Sequence, residues 1–148
     1  MVESSTLQKA ARVVGIVFLL VGILGFIPGI TSNYGDMKFA GNTSDAELLG
    51  LFQVSILHNI VHLIFGVLGI ALSRTWEGAR NFLIGGGVVY LILGIYDAIV
   101  KQSTDANFLP TNNADTVLHL ALGLGMLALG FALRGRNPER DSSLGARV

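Results

Sequence analysis

His58-Asn-Ile-Val-His62-Leu-Ile-Phe-Gly66-Val-Leu-Gly69 puts two ionisable rings inside an apolar run, and Asp115-Thr-Val-Leu-His119-Leu-Ala-Leu-Gly123-Leu-Gly-Met126 echoes it. A run this apolar reads as membrane-spanning, and intramembrane ionisable groups are expensive enough to be functional candidates by default. Working outward, Gly15-Ile-Val-Phe-Leu-Leu-Val-Gly22-Ile23 pairs with Gly87-Val-Val-Tyr-Leu-Ile-Leu-Gly94-Ile95, and Val61-His62-Leu63 pairs with Leu118-His119-Leu120. The chain therefore reads as one helical hairpin written twice.

Composition agrees with a lipid-facing surface. Of 148 residues, 51% are hydrophobic and only 14% charged, with a mean hydropathy of +0.62, which is too apolar for a soluble domain of this size. The expected fold class is all-α, a four-helix transmembrane bundle with spans at about 13–30, 45–73, 82–100 and 114–133 and one membrane domain over 13–134. It lies between a cytoplasmic N-terminus (1–12) and a basic tail (135–148). Lys9 and Arg12 precede the first run, but no A-x-A-like site follows it, so the segment reads as a retained helix and not a signal peptide.

Local signals place the ends. Pro28 and Gly29 close the first span. Ser44-Asp45-Ala46-Glu47 has the form of a capping box and predicts a helix start; a helix from there to Ser73 would be on the order of 40 Å long and would overshoot the ~30 Å hydrocarbon core. Asn42-Thr43-Ser44 also matches a glycosylation sequon, though capping explains Ser44 better. Asn112 or Asn113 caps the fourth span. Lys9, Arg12, Arg74, Arg80, Arg134, Arg136, Arg140 and Arg147 fall on one side of the spans, against Lys38 and Lys101 on the other. By the positive-inside rule both termini are cytoplasmic and the long loops face outward, which puts the chain in the cytoplasmic membrane. Both hairpins then start at the cytoplasm, which makes the repeat a parallel one about an axis along the membrane normal.

The paired HNIVHLIFG and ADTVLHLALGLGMLALG segments on a four-span chain resemble a family of small bacterial integral membrane proteins defined by a domain of unknown function, over about residues 10 to 135. The resemblance implies the four-span architecture and carries no activity or site residues with it.

Helical spacing orders the polar groups. Ser55, His58, His62, Gly66, Gly69 and Ser73 share one face of the second helix, and Asp115, His119, Gly123, Met126 and Gly130 share one of the fourth. Gly87, Gly94 and Asp97 form such a stripe on the third. Small residues mark helix contacts in lipid, so the stripes should face inward. Helical rise puts His62 roughly 18 Å, His58 and His119 roughly 22 to 24 Å, and Asp97 roughly 25 Å above the cytoplasmic edge, with Asp115 near the outer surface. The candidate site is therefore His58, His62, Asp97, His119 and Asp115 in the outer half of the bundle.

Four readings of that cluster stand at this point. Neutral histidines that hydrogen-bond across the bundle would fix helix register in a non-enzymatic structural or accessory subunit, a homo-oligomer or part of a larger membrane complex. Alternatively His62 and His119, at equivalent repeat positions, would hold haem b from both sides, with nearby glycines leaving room for the macrocycle. His58 and His62 with a carboxylate would bind a metal ion, or a His/Asp chain would carry protons or other ions. Asp115 also suits a first helical turn, where the macrodipole favours an acid, and Asp97 could pair with Lys101 four residues on.

Other chemistries find no support. There is no cysteine, which removes disulfides, thiolate ligands and a Cys nucleophile. No G-x-S-x-G, H-E-x-x-H, Walker or dinucleotide fingerprint occurs, so enzymatic activity is not expected. The tail arginines alternate with Glu139 and Asp141 and suit lipid headgroups in place of nucleic acid.

Overall fold

In the computed structural model of the chain, which describes residues 4–100, 103–133, 135 and 137, four helices carry the fold: α1 (Thr6–Leu24), α2 (Ile56–Leu72), α3 (Trp76–Ile99) and α4 (Asn113–Ala132). Of these, α1, α3 and α4 are long and apolar enough to cross a membrane. α2 is equally apolar but has 17 residues, about 25 Å of rise. The fold is thus mostly helical, and a three-stranded antiparallel sheet of two-residue strands, β1 (Thr31–Ser32), β2 (Glu47–Leu48) and β3 (Phe52–Gln53), lies between α1 and α2 in sequence.

α1 begins earlier than the polar composition of the N-terminus suggests. Ser5 caps it in a capping box with Gln8, and the Gln8 amide donates to the Arg74 carbonyl at 3.0 Å, tying this end to the α2–α3 turn. It stops at Leu24, before Pro28, because the Thr31 hydroxyl donates to the carbonyls of Leu24 and Gly25 at 3.1 and 3.2 Å and satisfies its last turn.

The helix expected from Ser44 does not form there. Leu49 and Gly50 adopt left-handed backbone angles, φ 56° and 65°, which turn β2 back onto β3, with Leu48 opposite Phe52. Gly50 tolerates that conformation without the Cβ penalty that a helix interior would replace with an entropic one. The Ser44 hydroxyl, freed from capping, donates to the Val54 carbonyl at 2.7 Å. Ser55 is the N-cap instead, accepting from the His58 N–H at 3.1 Å. The next amides of α2, Ile56 and Leu57, donate to the carbonyls of Lys38 and Phe39 at 3.0 and 2.9 Å. Tertiary pairing thus overrides a local capping signal.

Close packing explains the glycines. α1 packs along α2, and α3 along α4. A Cβ on Gly66 would lie 2.6 Å from the Leu19 backbone nitrogen, and one on Gly123 lies 2.7 Å from that of Leu91. Likewise a Cβ on Gly22 meets the Leu63 side chain at 2.8 Å, and one on Gly94 meets that of Leu120 at 2.8 Å. Each of these pairs is the counterpart of the other in the repeated sequence. Phe18 and Tyr90, also counterparts, meet each other with ring centroids 4.9 Å apart. Around them Leu7, Ala11, Ala79, Phe82, Leu83 and Met126 form the buried apolar core.

Candidate functional site

Against Tyr90 lie the three histidines. α2 delivers His58 and His62 from successive turns, their centroids 4.8 Å apart, and α4 delivers His119, 5.8 Å from His58. Tyr90 closes the group from α3, parallel to His62 at 6.5 Å and edge-on to His119 at 5.4 Å. All three histidines are buried, and one ring nitrogen of each lies within 4.8 Å of those of the other two.

The outer nitrogens are anchored differently. His119 Nδ1 pairs with the Asp97 carboxylate at 2.6 Å, and the other Asp97 oxygen accepts from the Thr111 hydroxyl at 3.0 Å. His58 Nδ1 donates to the Pro110 carbonyl at 3.3 Å, an oxygen that can only accept. In a neutral ring each of these bonds leaves Nε2 as a lone-pair acceptor. His62 Nδ1 is buried with no hydrogen-bond partner. The repeat supplies the reason: the counterpart of Asp97 in the first hairpin is Gly25, which offers no side chain, and the space over it is taken by the Asn59 side chain. The duplicated helices are alike, but the polar groups above them have diverged.

Asp115 stands slightly apart. It is buried and belongs to a capping box with Asn112 at the start of α4, as a first-turn acid should. One oxygen also accepts from the backbone N–H of Gln53 at 2.9 Å, which fixes the small sheet to α4. It lines, with His58 and His62, a cavity of about 100 Å³ under that sheet. So the structure joins His58, His62, His119 and Asp97 in one cluster and gives Asp115 a bracing position beside it. Lys101, the expected partner of Asp97, lies outside the described residues, as does the basic tail apart from Gly135 and Asn137.

The space shared by the histidines is about 20 Å³, lined also by Tyr90, Leu93, Leu109 and Thr111. That is room for one water or one ion. The glycines expected to make room for a macrocycle are instead occupied: Gly66 by Leu19 and Gly123 by Leu91 and the Gly87 carbonyl. His58 and Tyr90 both contact His62 and His119 where a haem would have to lie.

Three residues at the cluster, Tyr90, Thr111 and Pro110, escape a reading confined to histidines and carboxylates. Tyr90 carried a signal, since it falls three residues after Gly87 and four before Gly94 on the same stripe of α3. Thr111 and Pro110 come from a loop, where no periodicity points to them.

A family model described as a domain of unknown function (DUF4383) matches residues 8–132. The chain belongs to this family. No curated protein and no solved structure matches it. Membership brings no chemistry, so the function of this family member has to be argued from the cluster itself.

Proposed function

We propose that this protein is a multi-pass membrane protein that holds one first-row transition-metal ion, zinc by coordination preference, between His58, His62 and His119. The observation that carries the proposal is the convergence of three buried imidazoles whose outer nitrogens are anchored to oxygen acceptors or, at His62, left free. Facing lone pairs around a space of about 20 Å³ suit a single cation held between them. Neutral imidazole is the commonest metal ligand, and a carboxylate or carbonyl on its far nitrogen is the usual means of fixing the tautomer and raising basicity. Three histidine ligands leave a fourth tetrahedral position for water.

The same reading places the bundle in the cytoplasmic membrane with both termini inside and the histidines in the outer half. The matched contacts of Gly66 with Leu19 and Gly123 with Leu91 support a parallel repeat about an axis passing between Phe18 and Tyr90. A purely structural role is the second reading, favoured by the completeness of the Asp97–Thr111–His119 network. Elemental analysis of the protein purified in mild detergent after zinc loading and desalting separates the two. The metal reading expects one ion per chain, lost in His62→Ala and His119→Ala variants that keep their helical content. Equal, sub-stoichiometric zinc in all three proteins would leave only the structural role.

A further inference from the structure

α1 and α4 touch only sparingly, and the seam between them is hollow. A cavity of about 240 Å³ is lined by Val13, Val14, Val17 and Phe18 of α1 and Leu122 of α4, together with Val21, Leu118 and His62. The last three also line the cavity of about 100 Å³ under the small sheet, where His58 and Asp115 join the lining. The two spaces therefore follow one another along α1, from its middle turns to the outer cap. Val13 and Val17 on the rim are 60% and 47% exposed, so in a membrane the seam opens onto lipid and not onto water. The walls are apolar apart from His62, and the further polar groups, His58 and Asp115, line the smaller space under the sheet.

We infer that this seam binds a single-chain lipophile from the bilayer, its apolar chain against Phe18 and Leu122 and an oxygen-bearing head, hydroxyl or carbonyl, at His62. Three features select that occupant. The space is elongated along the helix, as a chain is. Its mouth faces the phase in which such molecules are dissolved. His62 is 4% exposed and has an unpartnered Nδ1, and a buried imidazole without a partner carries a desolvation penalty that one hydrogen bond from the occupant relieves. A cavity of about 240 Å³ is too small for the two chains of a phospholipid. An ion has no reason to enter walls of valine and leucine.

This inference does not require a bound metal, and its test is run on metal-free protein. The probe is a palmityl-alcohol analogue with a diazirine in mid-chain, reconstituted with the full-length chain in nanodiscs, photolysed, and mapped by peptide mass spectrometry. The comparison probe is the corresponding alkane without the hydroxyl. The expected result is labelling concentrated on the Val13–Val21 and Leu118–Leu122 segments, stronger for the alcohol than for the alkane. Leu122→Trp, which fills the seam, should abolish it. His62→Phe, which keeps a ring of similar shape, should equalise the two probes. Labelling of the seam no greater than that of the lipid-facing segments around Ile64 and Val88, 52% and 46% exposed, would overturn the inference. So would an unchanged alcohol preference in His62→Phe. A separate aliquot of Leu122→Trp is loaded with zinc and its helical content and zinc stoichiometry are measured, so loss of folding or of the metal site is distinguished from loss of the lipophile.

Discussion

The His119 ring on α4 and the Asp97 carboxylate on α3 meet at 2.6 Å, and the corresponding place in the other hairpin has neither carboxylate nor partner. His62 occupies the position of His119, but Gly25 stands where Asp97 would be. The duplication therefore produced two equivalent histidines in unequal surroundings. One is oriented by a charge, while the other is held by packing between Phe18 and His58, whose ring centroids lie 5.8 and 4.8 Å away.

Asp97→Asn tests the oriented half. The amide keeps the size of the side chain and can still meet Thr111, but it no longer presents a carboxylate to His119 Nδ1. Loss of such an outer partner typically lowers metal affinity roughly 10–100-fold. Competition titration with a chromophoric chelator should show that drop in zinc affinity with the stoichiometry retained. An affinity equal to the parent's would mean that Asp97 does not act through a metal-bound ring.

Glycines at helix contacts and at open positions should part company under substitution. Gly66→Leu and Gly123→Leu drive a side chain into the Leu19 and Leu91 backbones; overpacking of this kind costs about 1–3 kcal/mol or more. Gly85 and Gly125 have open space where a Cβ would stand, so leucine there should change stability by no more than about 0.5 kcal/mol. Unfolding in mixed detergent micelles measures both pairs. Equal losses at all four positions would contradict the helix pairing described here.

The start of α2 gives a third check. Ser55→Ala removes the side-chain acceptor for His58 N–H and should cost about 1 kcal/mol. Glu47→Gln should cost less than about 0.5 kcal/mol, because Glu47 pairs through its backbone with Gln53 and caps no helix. The reverse order would return the helix start to Ser44.

Much of this arrangement is legible before any coordinates. Gly15, Gly22, Gly66, Gly87, Gly94 and Gly123 recur at helical spacing, and small residues in lipid-facing helices have few uses besides contact. The same spacing brought His58, His62, His119 and Asp97 to one level, since helical rise converts sequence distance into depth. What was not legible lies in the connections. Ser44-x-x-Glu47 satisfies a local rule for a helix start, yet the segment pairs β2 with β3 and the amide of Gln53 donates to the Asp115 carboxylate 62 positions away, partners that a local rule does not see. Pro110 and Thr111 orient two of the histidines from an irregular loop, where residue type alone carries no directional information. The glycines beside the histidines illustrate a related point: a glycine there can mean space or contact, and only the facing helix, Leu19 over Gly66 and Leu91 over Gly123, decides between them.

X-ray absorption at the zinc K-edge on the loaded, detergent-solubilised protein tests the central claim most directly. The account predicts a first shell of nitrogen and oxygen scatterers near about 2.0–2.1 Å, with outer-shell scattering that fits three imidazoles, and no zinc retained after desalting in His62→Ala. A shell of oxygen scatterers without imidazole, unchanged by substitution of His58, His62 or His119, would contradict it.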